Sequence, residues 1–353
     1  MIKFVKIVII KICYKLYLIF NLNFLITIIK YVGGPLFIKI FQNFNNLNNI
    51  VTNDTMSGSI GKIYKNDNII KKTLHLDIKN KLKESIELLR LIIDDNNIPF
   101  PFYFNEYIQI NMNQVDLNLE RDYSLRLSKI FSNVKNVKII NIISSSYNYH
   151  YSEFIDGYTI NYFLNSHKDK YDVYRIEILR LLYLSYYLML SNNLFHCDWH
   201  FGNFLVNIDN NDNIILYILD TGLMGELIDN NHYNKLKILL STNLLYPEPI
   251  NIIKFLSFIN LNSSGNINNF ISISKKIIND DISYRNKIIK ILENASYNNL
   301  KFPIVILYMI QTIIFMDNLL DKTNSLTNNG IYKDFLEISK KYGFYKEIQK
   351  TIL

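Results

Sequence analysis

An aspartate, an asparagine five residues later and a second aspartate ahead of a glycine constrain this chain more than any other pattern in it. They are Asp198 and Asn203 in His196-Cys-Asp-Trp-His-Phe-Gly-Asn203, and Asp220 in Asp220-Thr-Gly222. Between them, Phe204–Ile208 is an apolar, strand-like run, residues 209–213 are turn formers, and Ile214–Leu219 is a second apolar run. Two such runs around a short turn predict a hairpin. A hairpin carries Asn203 at its start and Asp220 at its end, which brings both polar groups to one edge. Asparagine is so common in this chain that Asn203 alone says little; the joint spacing says more.

The chain has 353 residues, 49% hydrophobic and 20% charged, which is enough to bury a large core in one two-lobed domain or two small ones. Heavy use of Ile, Asn, Lys and Tyr reflects a biased source composition, so sequons such as Asn53-Asp-Thr55 do not argue for secretion. The formal charge of +7 is concentrated at the start: Lys3, Lys6, Lys11, Lys15, Lys30 and Lys39 all precede the first acidic residue, Asp54. The rest is nearly neutral, with no basic stripe interleaved with aromatics, so no nucleic-acid partner is expected. Cys13 and Cys197 sit in unlike contexts, suggest neither a disulfide framework nor a zinc site, and fit a reducing compartment.

Ile2 to Val32 is apolar but punctuated by lysines, and its longest uncharged run, Leu16 to Ile29, is short of the roughly 20 residues that cross a bilayer. Residues 1–32 are therefore expected to form a helix lying on an anionic membrane surface, the alternative being a helix packed on the main domain. An Asn-rich linker follows, to about Thr55. Ser57 to Tyr64 reads as a strand entered through small residues, Asn66-Asp-Asn68 as a turn, and Ile69 to Lys72 as the next strand. Leu82, Ile86, Leu89 and Ile93 recur at helical spacing, predicting a helix from about Ile78 to Asp94. Gln114 to Ser128 predicts a helix carrying Glu120, and Lys135 to Ile143 predicts paired strands. Tyr151 to Gly157, which contains Glu153, reads as a hinge and turn. Val173 to Leu190 is apolar on nearly every face and should be buried, and only helices are expected beyond Asp229.

In this order the pieces resemble a two-lobed protein-kinase-like fold of the α+β class. The resemblance implies a small β-rich N-lobe over residues 51–157, a mainly helical C-lobe over 158–353 and an N-terminal helical extension over 1–50. More specifically, the chain resembles the UbiB (AarF-domain, ADCK) family of atypical kinases. Gly34-Pro-Leu-Phe-Ile-Lys39-Ile-Phe-Gln42 is similar to that family's N-terminal Lys-x-Gly-Gln segment, and Gly58-Ser-Ile-Gly-Lys-Ile-Tyr64 to its Ala-rich loop. Ile69 to Ile78 matches its Val-Ala-Val-Lys-Val-x-His-Pro-x-Ile stretch, with His75 on the family histidine. Gln114 to Glu120, His196 to Asn203 and Leu219 to Gly222 match its remaining motifs in the same order.

The resemblance implies binding of ATP with Mg²⁺ and support of isoprenoid-lipid metabolism, often of coenzyme Q, with lipid or isoprenoid-pathway proteins as partners. It implies a membrane-associated setting, mitochondrial by family analogy or another reducing intracellular site. Lys72 is then the lysine on the α/β-phosphates, paired with Glu120. Asn203 and Asp220 are the metal ligands, and Asp198 orients or deprotonates the attacking group. His200 stands beside the transferred phosphate, whereas His196 packs beneath the metal loop. Gly58, Ser59, Gly61, Lys39, Gln42 and Glu153 complete the nucleotide contacts. The chain departs from the family at Phe41, Trp199, Phe201 and Tyr123, has Gly58 in place of Ala, and lacks the helices normally inserted after Gln42. Two other readings stay open: a pseudokinase scaffold with bound nucleotide but weak chemistry, and a small-molecule kinase of the aminoglycoside/choline type.

Overall fold

The structure, a computed structural model, describes residues 2–20, 23–38, 60–96, 103–226, 253, 257, 265–282, 284–306, 308–309 and 312. Helices α1 (Ile2–Phe20) and α2 (Asn23–Gly33) precede a hairpin of β1 (Gly61–Asn66) and β2 (Ile69–Leu74). Helices α3 (Ile78–Asn96), α4 (Phe104–Asn113) and α5 (Leu117–Ile130) follow, then strands β3 (Val137–Ile139), β4 (Ile142–Ser145), β5 (Tyr149–Glu153) and β6 (Tyr158–Thr159). Next come α6 (Ile160–Ser166), α7 (Tyr171–Ser191), β7 (Leu194–His196), β8 (Phe204–Ile208), β9 (Ile214–Ile218) and β10 (Met224–Glu226). Helices α8 (Ile267–Asn279) and α9 (Tyr284–Tyr297) complete the labelled elements. The class is α+β, as the sequence predicts.

The chain divides into two compact units, the first made of Met1–Phe100, Tyr107–Arg121 and Ile142–Phe154. Its sheet runs β1-β2-β5-β4, antiparallel throughout. Asp67 takes the left-handed conformation (φ 51°) that a tight hairpin turn requires. Strand alternation then sets Lys72 opposite His150 and Ile70 opposite Ser152. The N-terminal segment is two helices rather than one. Ile7, Ile10 and Cys13 of α1, Leu25 and Ile29 of α2, and Leu88 and Ile92 of α3 share one buried cluster with Phe37. Gly34, at φ 80°, sits so close to Ser85 that an added Cβ would lie 2.6 Å from its hydroxyl. Apolar side chains remain on the outside of α1 and α2, among them Ile12, Phe24 and Tyr31.

The second unit comprises Pro101–Glu106, Asp122–Asn141 and Ile155–Leu353. Its main sheet runs β3-β9-β8-β6, with the β8–β9 hairpin predicted from the sequence at its centre. The Asp209 carboxylate holds the turn by accepting backbone N–H groups of Asn211 and Asn213 at 2.9 and 2.8 Å. Helix α7 is buried as expected, with Ile178, Leu181, Leu182 and Tyr186 each fully enclosed.

Three readings of local structure change. The paired strands expected over Lys135 to Ile143 do not pair with each other: β3 runs parallel to β9, whereas β4 pairs with β5 in the other unit. A two-residue hairpin of either favoured type would need positive φ at Ile140, and it does not have it. The helix predicted from Gln114 starts at Leu117, because Asp116 accepts the Asn118 N–H at 3.0 Å and the preceding residues turn. Helix α4 and the short β7–β10 pair have no counterpart in the sequence reading.

Candidate functional site

In the first unit, Lys72 projects from β2 and meets Glu120, which the first turn of α5 presents. The ammonium nitrogen lies 2.9 Å from each carboxylate oxygen, and the two side chains are 11% and 3% exposed. Such a pair is costly to desolvate and is held only by good geometry on both sides. Here a strand fixes one partner and a helix start fixes the other. The backbone N–H of Glu120 bonds the Asp116 carbonyl, and Leu117 bonds the carbonyl of Tyr147, so the helix start is anchored to the loop ahead of β5. His150 approaches the same carboxylate from the paired strand, with Nε2 3.3 Å from Oε1.

In the second unit, Asp198, His200 and Asn203 lie on the segment after β7, and Asp220 follows β9. Buried His196 joins the two segments. Its Nδ1 accepts the Asp198 backbone N–H at 3.1 Å, and its Nε2 donates to the Asp220 carbonyl oxygen. Burial lowers its pKa, opposed by the nearby Asp198 and Asp220 charges, in keeping with a neutral ring whose tautomer these two bonds set. Asn203 donates its amide to the Asp198 carbonyl at 2.8 Å, and its own carbonyl accepts the Leu219 N–H at 3.0 Å. The Asp220 carboxylate accepts the Gly222 N–H at 2.8 Å. His200 caps a short 3₁₀ turn by accepting the Gly202 N–H on Nδ1, which leaves the proton on Nε2, 3.7 Å from Asp198 Oδ2.

The two residues suited to metal binding, Asn203 and Asp220, offer an amide oxygen and a carboxylate. That is a hard-oxygen set of the kind Mg²⁺ takes when phosphates and water fill its remaining positions. No cluster of three or more His, Cys, Asp or Glu suited to a metal occurs among the described residues. Asn203 and Asp220 would supply two oxygen ligands to such an ion.

Two of the departures noted in the sequence acquire a packing role. Trp199 is 7% exposed and packs edge-on against Phe204, ring centres 5.0 Å apart, with Tyr186 at 6.2 Å. Tyr123 is buried under Arg126, which pairs with Glu226. Burial, then the Glu226 charge, raises its pKa. Of the other expected nucleotide contacts, Gly61 opens β1 and Glu153 closes β5. Lys39, Gln42, Gly58 and Ser59 lie outside the described residues. His150 was missed: Tyr149-His-Tyr151 alternates like any strand, and only the register with β2 places the imidazole beside Lys72.

A family model described as the ABC1 atypical kinase-like domain matches residues 39–245, more than half of the chain. The comparison with curated proteins returned no match. Among solved structures, the complex of Rv3197 with erythromycin from Mycobacterium tuberculosis is similar, at 11% identity and a TM-score of 0.41. That likeness covers 76% of this chain and 75% of that one.

Proposed function

Because the chain belongs to the ABC1 atypical kinase-like family, the one its UbiB-type motifs resemble, we propose that it binds Mg²⁺-ATP and works as a phosphotransferase or ATPase. The observation that carries this reading is the buried Lys72–Glu120 pair. Both carboxylate oxygens lie 2.9 Å from an ammonium that solvent hardly reaches. An apolar pair would fill that space at lower cost, so the charges are better explained by a lysine held ready for phosphate.

Lys72 contacts the α/β-phosphates, and Glu120 holds it in place. Asn203 and Asp220 hold the metal, which when bound neutralises the phosphate charge. Asp198 orients or accepts the proton of the attacking hydroxyl or water, and His200 contacts the transferred phosphate. Gly61 lets backbone approach the phosphates and Glu153 contacts the nucleotide at the end of β5, with Gly58, Ser59, Lys39 and Gln42 as the further nucleotide contacts that the family resemblance implies. The biological setting we propose is isoprenoid-lipid metabolism at a membrane. In support, α1 and α2 expose Ile12, Phe24 and Tyr31 in a lysine-bearing stretch with no acidic residue. Among the described residues no helix is long and apolar enough to cross a membrane.

Thermal unfolding with and without ATP and Mg²⁺ tests the nucleotide reading. Ligand at about 100 times its Kd should add roughly 2.7 kcal/mol of stability. The expected result is a metal-dependent upward shift in Tm that Asp220→Asn removes. A folded protein with no shift refutes the reading, and a shift without turnover supports the pseudokinase alternative.

A further inference from the structure

The nucleotide reading leaves His150 without a role, although few side chains in the first unit are more completely enclosed. It lies on β5 in register with Lys72, is 4% exposed at its side chain, and has Nε2 3.3 Å from Glu120 Oε1. That distance is close enough for attraction, but the angle falls outside hydrogen-bond geometry. Neither ring nitrogen has a hydrogen-bond partner among the described residues. Burying an imidazole that way is unfavourable, and an apolar residue in the same place would avoid the cost.

We propose that His150 is a positioning residue for the phosphate-binding lysine, acting through Glu120. Facing Oε1 from 3.3 Å, the Nε2 side of the ring attracts and restrains the carboxylate while Lys72 engages both of its oxygens. That requires the ring proton on Nε2, since the opposite tautomer would aim a nitrogen lone pair at a carboxylate oxygen. Glu120 is thereby held from two strands of one sheet. Without His150 the carboxylate keeps its Lys72 contacts but loses a second restraint, and Lys72 is fixed less firmly. This inference rests on the nucleotide reading only for its functional consequence, not for the contact itself.

Two measurements on the full chain test it. In protein labelled with ¹⁵N-histidine, the ring signal missing from His150→Gln should show a neutral imidazole protonated at Nε2, and Glu120→Gln should shift it. A ring protonated at Nδ1, or one indifferent to Glu120→Gln, overturns the proposal. In calorimetric titration with ATP and Mg²⁺, His150→Leu should weaken binding about tenfold, near the lower end of what one hydrogen bond to a charged group supplies. His150→Gln, whose amide N–H can reach the same oxygen, should stay within about twofold of the natural protein. Equal affinities in all three proteins, or equal losses in both variants, reduce His150 to a space filler and overturn the proposal. Should His150→Leu not fold, the ring spectrum and the Gln variant still decide. Absence of ATP binding by the natural protein would refute the nucleotide reading instead, leaving the ring spectrum to judge the contact.

Discussion

The Lys72–Glu120 pair and the Asp198–Asn203–Asp220 set are both polar, but they are fixed by opposite means. In the first unit, side chain meets side chain: a strand lysine and a helix-start glutamate are 11% and 3% exposed and hold each other directly. In the second, backbone does the holding. His196 ties the Asp198 N–H and the Asp220 carbonyl, Asn203 ties the Asp198 carbonyl, and the Gly222 N–H orients the Asp220 carboxylate. A lysine that only has to point in one direction can be locked by its counter-ion. The backbone route fixes the position of both segments.

The contrast is broken most severely at Asp198. Asp198→Ala should lower turnover by about 10²–10⁴-fold, the usual contribution of a general acid–base group, while Mg²⁺-ATP affinity stays near that of the natural protein. Loss of affinity in step with turnover would mean that Asp198 serves binding instead. The first unit should respond in stability. Removing one partner, as in Lys72→Met or Glu120→Leu, strands a buried charge and should cost about 3–5 kcal/mol in denaturant unfolding. The double variant should recover much of that loss. Additive losses would show that the two charges are not held by each other.

Smaller effects sharpen the picture of the second unit. Gly225 on β10 lies against the segment after β7: an added Cβ would sit 2.8 Å from Cys197 Sγ and 2.9 Å from a Val305 methyl. Gly225→Ala should cost about 1–3 kcal/mol through overpacking, read as a fall in Tm. The smallest effect concerns pH. Burial depresses the His196 pKa in the folded state, so the unfolded chain takes up the proton first on acidification. The stability associated with neutral His196 is complete above about pH 6.5 and is lost as pH falls below that value toward the folded pKa. A Tm-against-pH curve should be flatter below pH ~6.5 for His196→Asn than for the natural protein.

Much of this architecture was legible from local pattern. The β8–β9 hairpin followed from two apolar runs around Asp209–Asn213, α3 from the spacing of Leu82 and Ile86, and α7 from its lack of a polar face. Pairing between distant segments was not legible. Lys135–Ile143 looked like one hairpin, and only the partners β9 and β5 show that its two strands belong to different sheets. Strand β7, three residues long, carries too little periodicity to be seen, yet it delivers His196. Trp199 stood out in sequence as an intrusion in the catalytic segment; its T-shaped packing on Phe204 makes it part of the core below.

The sequence by itself determined the chemistry of this protein: which acids, amides and lysine occur, in which order, and on which kind of local element. Those properties depend on side-chain identity and on contacts within a few residues, which periodicity and turn chemistry record. The pairing of Lys72 with Glu120, 48 positions away, was expected only from the family resemblance, and tertiary structure alone decided that His150 stands beside them both. It also decided that His196 faces Asp198 on one side and Asp220 on the other. Such meetings depend on strand register and helix placement, and no local pattern of residues encodes either.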